Sequence, residues 1–161
     1  MAGIRIVPAQ ASDVPVILEM IKALAEYEQL THEVVATEDD LRQSLFGPRP
    51  AAEVVLAYAG DAPIGFALFF HNFSTFLGRH GLYLEDLFVV PEWRGKGVGK
   101  QLLAHIASIA DSRNCGRMEW AVLDWNESAI AFYRRMGAHV LDEWRLCRLT
   151  GHELRAASTR T

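Results

Sequence analysis

The string Arg94-Gly95-Lys96-Gly97-Val98-Gly99, with Lys100 behind it, lies between an apolar run and an amphipathic one. Its three glycines let backbone N–H groups approach a ligand closely, and a helix start adds partial positive charge, so the turn suits an anion such as a phosphate. Arg94, Lys96 and Lys100 either lend formal charge there or are solvated surface. A Walker A loop would need glycine where Arg94 stands and Ser or Thr where Gln101 stands, and a dinucleotide fingerprint would need glycine at Leu102, so neither fits. A second group is acidic, comprising Tyr27-Glu28 and Glu85-Asp86, with Glu119 and Asp142 as weaker additions. Glu85 stands in an apolar stretch where desolvation would raise its pKa toward the range of a useful general base, or else it only holds a cation. Tyr133 is either a core tyrosine with a satisfied hydroxyl or a proton donor, and its periodicity with Ile130 and Phe132 does not decide. Six histidines and two cysteines, Cys115 and Cys147, show no metal-ligand or redox spacing, and no Gly-x-Ser-x-Gly occurs. Neither a metal site nor covalent catalysis is expected.

The elements that must position these groups follow from periodicity. Ile4, Ile6 and Val7 read as a short strand, and Ser12 or Asp13 caps a helix through Val14, Ile17, Ile21 and Leu24 to about Tyr27. Thr37 with Asp40 is a variant capping box, opening a helix with Leu41 and Leu45 that Gly47-Pro48 ends. Strands over 53–58 and 64–70 are joined through Gly60-Asp61, and an apolar strand over 82–90, stopped by Pro91, belongs centrally in a sheet. After the glycine turn comes a helix with Leu102, Leu103, Ile106 and Ile109-Ala110 on one face, ending near 114–116. A strand over 118–123 and a helix capped by Asn126, closed at Gly137, lead to a last strand over 139–149 and a frayed tail from about 155. The order β-α-α-β-β-β-α-β-α-β predicts an α/β (α+β) domain over 1–161, with helices on both faces of a mixed sheet.

The 161 residues are 50% apolar and 22% charged, enough to bury a core and too apolar for disorder. A net charge of −4 argues against a general nucleic-acid binder. Residues 1–90 carry five basic and twelve acidic side chains, whereas 91–161 carry eleven basic and eight acidic. That asymmetry fits one cationic and one anionic ligand, or an uneven surface. The longest nearly uncharged stretch, 62–72, is interrupted by Pro63 and Gly65 and is too short to span a bilayer, and the first twenty residues lack an apolar signal core. Two distant free thiols fit a reducing compartment, so a soluble cytoplasmic protein is expected.

The pattern Arg-x-x-Gly-x-Gly, supplied by Arg94, Gly97 and Gly99, resembles the signature turn of the GNAT superfamily of N-acetyltransferases. The stretches Leu82-Tyr83-Leu84-Glu85-Asp86-Leu87-Phe88-Val89, Trp125-Asn126-Glu127 and Phe132-Tyr133-Arg134-Arg135-Met136-Gly137-Ala138 are similar to its diamine and polyamine branch, the spermidine/spermine enzymes and their thialysine-acetylating relatives. So are Leu24-Ala25-Glu26-Tyr27-Glu28 and Trp144-Arg145. The resemblance implies the GNAT fold with a splayed central strand pair, acetyl-CoA as co-substrate, and direct acetyl transfer to a small amine. It implies Tyr133 as general acid beside the CoA sulfur and Glu85 as general base, through water. Main-chain N–H groups at Leu87, Phe88 and Val89 would steady the oxyanion and pair with pantetheine. Residues Arg94 to Lys100 would hold the pyrophosphate, and Asn126, Glu127, Ser128 and Ala129 would form a second CoA-contacting segment. Tyr27, Glu28, Glu85 and Asp86 would receive the amine, and a homodimer is the family's usual state. The segment 71–80 lacks the Asp-Pro-Trp associated with vertebrate polyamine enzymes, and as a loop bordering the acceptor pocket it leaves short diamines, ornithine-like and lysine-like amines as plausible as long polyamines. An acetyltransferase for protein N-termini or lysines, and a non-catalytic acyl-CoA-binding module, are the alternatives.

Overall fold

The computed structural model describes residues 3–160. Contacts divide the chain into two compact units, Met1–Leu123 and Asp124–Thr161.

The first unit is built on a five-stranded sheet whose spatial order follows the chain: β1 (Ile4–Pro8), β2 (Glu53–Ala59), β3 (Ala62–Ser74), β4 (Arg79–Val89) and β5 (Met118–Glu119). The first four are antiparallel neighbours and β5 runs parallel to β4. Helix α1 (Val14–Tyr27) buries Val14, Ile17, Met20, Leu24 and Ala25, a stripe at helical spacing. With α2 (Glu38–Phe46) it covers the face that carries Leu56, Phe66 and Phe88. The other face takes α3 (Val98–Ser112), whose Leu102 comes so close to Gly65 that a Cβ there would lie 3.2 Å from Leu102 Cδ1 and 2.7 Å from the Phe88 carbonyl oxygen. Helices thus cover both faces, as periodicity predicts. The capping box at α2 forms reciprocally: Asp40 N–H donates to Thr37 Oγ1 (3.2 Å) and Thr37 N–H donates to the Asp40 carboxylate (2.9 Å).

Several boundaries differ from the periodicity. Residues 71–80, expected as a loop, are mostly hairpin, because β3 extends to Ser74 and β4 starts at Arg79. The strand expected over 118–123 is paired only at Met118–Glu119, opposite Leu82 and Tyr83. It stops where β4 bulges. Leu68 pairs with Asp86 and Phe69 with Leu84, so Glu85 is an extra residue that increases twist and bends the strand away. Among the described residues the β5-side edge of β4 beyond Tyr83 therefore faces no strand.

The second unit holds α4 (Glu127–Arg135) and α5 (Gly151–Ser158). Asn126 Oδ1 accepts from the Ala129 N–H (3.3 Å) and starts α4 as its N-cap. Gly137 (φ 97°) ends it in the left-handed conformation, with Ala138 N–H donating to the Tyr133 carbonyl. The strand expected over 139–149 is not formed among the described residues. The Trp144 N–H closes a turn onto the Leu141 carbonyl (3.2 Å), and the intervening Asp142-Glu143 breaks the alternation there. The tail expected to fray from about 155 is helical through Ser158.

Candidate functional site

The bulge at Glu85 decides which carboxylate is desolvated. Residues paired across an antiparallel ladder share a face, so Leu68–Asp86 lies on the same face as Phe66–Phe88, the one covered by α1. Asp86 is half-buried and its carboxyl is pushed up to about 7, by burial first and then by the charges of Glu85 and Glu28. Glu85 itself is exposed. The desolvation argued for Glu85 from the apolar character of its strand thus falls on Asp86, because the extra residue shifts the alternation by one. Glu28 is raised as well, by burial and by Glu85, so Glu28, Glu85 and Asp86 act electrostatically as one cluster.

The end of α1 places Glu28 there. Gln29 takes a left-handed conformation (φ 61°) unusual for a side-chain-bearing residue, and the N–H groups of Gln29 and Leu30 close on the carbonyls of Glu26 and Ala25. Tyr27, in the last turn, is covered by the Arg94 guanidinium at 4.7 Å from its ring centroid, and the same guanidinium lies 5.3 Å from the Phe88 ring. Arg94 Nε also donates to the Val89 carbonyl oxygen at 2.9 Å. Arg94, expected beside a pyrophosphate, joins the end of β4 to the residue expected at the amine.

The glycine turn follows directly. Gly95 (φ 76°) and Gly97 (φ 86°) are both left-handed, and Gly97 is the N-cap of α3. A residue with a Cβ would be strained at either position. No side chain caps α3 and no acidic residue stands in its first turn, so its leading N–H groups and positive dipole end suit an incoming anion. Lys96 Nζ lies 5.0 Å over the Trp93 ring, and Lys96 and Lys100 are exposed beside the turn, whereas Val98 is buried and anchors the helix.

Among the weaker acidic additions, Glu119 receives a hydrogen bond from Asn72 Nδ2 (3.4 Å) and faces Arg117 (3.9 Å). Asp142 stands exposed in the Leu141–Trp144 turn of the second unit. Tyr83 was not singled out from sequence. Burial, Glu85 and Glu119 all raise its phenol, which places it among the acidic groups, and its ring lies 5.2 Å from Phe70. Its position two residues before Glu85 in the strand was the available signal. In the second unit, Tyr133 is half-buried against Phe132 (centroids 5.4 Å), and Ser128 Oγ donates to Asn126 Oδ1 (3.3 Å). Asn126 is 92% removed from solvent.

A sheet whose last two strands part, a left-handed glycine turn opening an uncapped helix and an acidic cluster at the bulge together offer one place for an anion and one for a cation. Residues 18–138 match the Acetyltransferase (GNAT) family, to which the chain belongs, and it is an acetyltransferase enzyme. It is 38% identical to the L-ornithine N5-acetyltransferase of Arabidopsis thaliana, over 94% of this chain and 86% of that protein. It is 37% identical to the thialysine N-epsilon-acetyltransferase of Mus musculus, over 99% of this chain and 100% of that protein. Among solved structures, an integron cassette protein of V. cholerae superposes with a TM-score of 0.81 at 28% identity, covering 99% of each chain.

Proposed function

We propose that the chain transfers acetyl from acetyl-CoA directly to a primary amine of a small diamine, polyamine or lysine-like molecule such as ornithine or thialysine. The observation that carries this reading is the Glu28, Glu85 and Asp86 cluster, whose mutual repulsion is relieved by a cation. The kinship with ornithine and thialysine acetyltransferases supports the same substrate class.

A primary amine of pKa about 10.4 is neutral in only about one molecule in 2,500 at pH 7, a deficit of about 4.6 kcal/mol. In the proposed mechanism Asp86 and Glu28 hold the distal ammonium, and Glu85, facing solvent, takes the proton of the reacting ammonium through water. The neutral nitrogen attacks the thioester carbonyl, and main-chain N–H groups at Leu87 to Val89 stabilise the oxyanion. As the intermediate collapses, the C–S bond breaks, the C–N bond remains, Tyr133 gives its phenolic proton to the departing thiolate, and the second proton that the nitrogen sheds on becoming an amide returns to the Tyr133 phenolate through solvent. Gly95 to Lys100 receive the pyrophosphate, and the segment 126–129 contributes further CoA contacts. The full span 1–161 serves one acetyltransferase domain, working as a homodimer in the cytoplasm. No helix among the described residues is long and apolar enough to cross a membrane.

Thiol release from acetyl-CoA, measured against a panel of diamines, polyamines, ornithine, thialysine, lysine and acetylable peptides, tests this function. Turnover on free amines is expected. Turnover confined to peptides would identify a protein acetyltransferase and overturn the proposal. Equilibrium sedimentation of the purified chain tests the dimer.

A further inference from the structure

The fold gathers three soft or borderline ligands that lie far apart in sequence. On the β3–β4 hairpin, His71 pairs with Leu82 and His80 with Phe73, so the two histidines are diagonal neighbours on one face. Their rings meet edge to face, 4.9 Å apart. Cys115 arrives from the end of α3. Asn114 there is left-handed (φ 56°), and the N–H groups of Asn114 and Cys115 close on the carbonyls of Asp111 and Ala110, which fixes the thiol's position. The Gly116 N–H then donates to the His80 carbonyl (3.0 Å), tying this loop to β4. One ligand atom from each of His71, His80 and Cys115 lies within 4.8 Å of the others.

We propose that His71, His80 and Cys115 bind a zinc ion, at a site separate from the acetyl-transfer residues. Two imidazoles and a thiolate are a zinc donor set, and tetrahedral zinc with bonds of about 2.0–2.3 Å needs ligand atoms about 3.3–3.8 Å apart, a contraction of about 1 Å. His80 already has the supporting bond such sites use. Its Nε2 lies 3.0 Å from the Arg113 carbonyl oxygen, so Nε2–H donates there and the Nδ1 lone pair is left for the metal. Both histidines are exposed and Cys115 is half-buried, which gives the ion an entry path and leaves water as fourth ligand. Two cations border the site: Arg113 is held by Glu53 through two hydrogen bonds of 2.7 and 2.9 Å, and Arg79 donates to Asn114 Oδ1 at 2.9 Å. The 3.4 Å contact of Arg113 with His71 Nε2 is long and yields to the metal. His80 precedes Glu85 by five residues of β4, about 17 Å of strand, so the ion would cross-link the hairpin to the α3–β5 loop without entering the acidic cluster.

Chelator-stripped protein titrated with zinc chloride in a calorimeter tests this, with cobalt(II) as a spectroscopic probe. The expected result is one ion per chain at micromolar affinity or tighter, a thiolate-to-cobalt charge-transfer band, and a zinc-dependent rise in Tm of several degrees. Cys115→Ser should abolish the charge-transfer band, and both Cys115→Ser and His80→Ala should weaken zinc binding at least about tenfold. Cys147→Ser, removing the other thiol, should leave both unchanged. Binding only at millimolar zinc, or wild-type affinity in Cys115→Ser, would overturn the proposal. The readouts are independent of acetyl transfer.

Discussion

An Asp86 carboxyl at about 7 in the folded chain, against 3.8 as its ordinary value, makes stability depend on pH with a definite sign. Between these two values the folded chain retains a proton that the unfolded chain has released, so stability falls as pH rises through the window. The loss approaches roughly 2–4 kcal/mol above pH 7. Asp86→Asn removes this term, and urea denaturation should find the variant more stable than the parent at pH 8 and close to it at pH 4. A parent whose stability is flat from pH 4 to 8 would contradict the desolvated carboxyl. The same substitution should raise KM for a dicationic amine about tenfold, about 1.4 kcal/mol, with a smaller effect on kcat, because the distal ammonium loses a partner. Tyr133 is tested by the opposite split. Tyr133→Phe should lower kcat at least about tenfold, beyond about 1.4 kcal/mol of barrier, while acetyl-CoA still binds in a calorimetric titration. An unchanged kcat would remove Tyr133 from the acid role.

Elements with local signals were legible in the sequence, and those that depend on distant pairing were less so. Thr37 and Asp40 form their capping box as their spacing predicts, Gly60-Asp61 closes the β2–β3 hairpin, and Asn126 and Gly137 bracket α4. The Glu85 bulge has no local signature, because an extra residue on β4 is defined only against its β3 partner. The sequence therefore shows the acidic pair but points to Glu85 as its desolvated member, where burial falls on Asp86. The run 139–149 reads as a last strand only in part, since Asp142-Glu143 interrupts it, and a strand exists only where a ladder receives it. His71, His80 and Cys115 likewise converge only through strand register and a helix end. Two substitutions separate local stability from function at this scale. Thr37→Ala should cost about 1 kcal/mol in urea denaturation with no change in kinetics, since it only uncaps α2. Gly97→Ala should cost about 1–2 kcal/mol by forcing a Cβ into the left-handed region, and it should weaken acetyl-CoA as well. Gly97→Ala with unaltered acetyl-CoA affinity would mean that the turn serves folding alone.

Across the whole chain, the surplus of eleven basic over eight acidic residues in 91–161 sorts less cleanly than sequence position implies. Arg113 is committed to Glu53, Arg117 to Ser74 and Glu119, and Arg94 to the rings of Tyr27 and Phe88. Among the described residues of the turn, the cations not turned onto α1 or β4 are Lys96, over the Trp93 ring, and Lys100, both exposed beside the dipole end of α3. Charges on an open surface are screened over about 10 Å at 0.1 M salt and about 3 Å at 1 M. Raising potassium chloride should therefore increase KM for both acetyl-CoA and the amine. The two dependences have different sources, lysines on one side and the Glu28, Glu85 and Asp86 cluster on the other, and they should separate by mutation. In the double variant Lys96→Gln, Lys100→Gln, the salt dependence of KM for acetyl-CoA should largely disappear while that for the amine persists. Steady-state kinetics in a salt series measures both. If the acetyl-CoA dependence survives the double substitution, the phosphates are held by the backbone and dipole of α3 or by cations elsewhere, and the basic surplus of 91–161 has no focus at the turn.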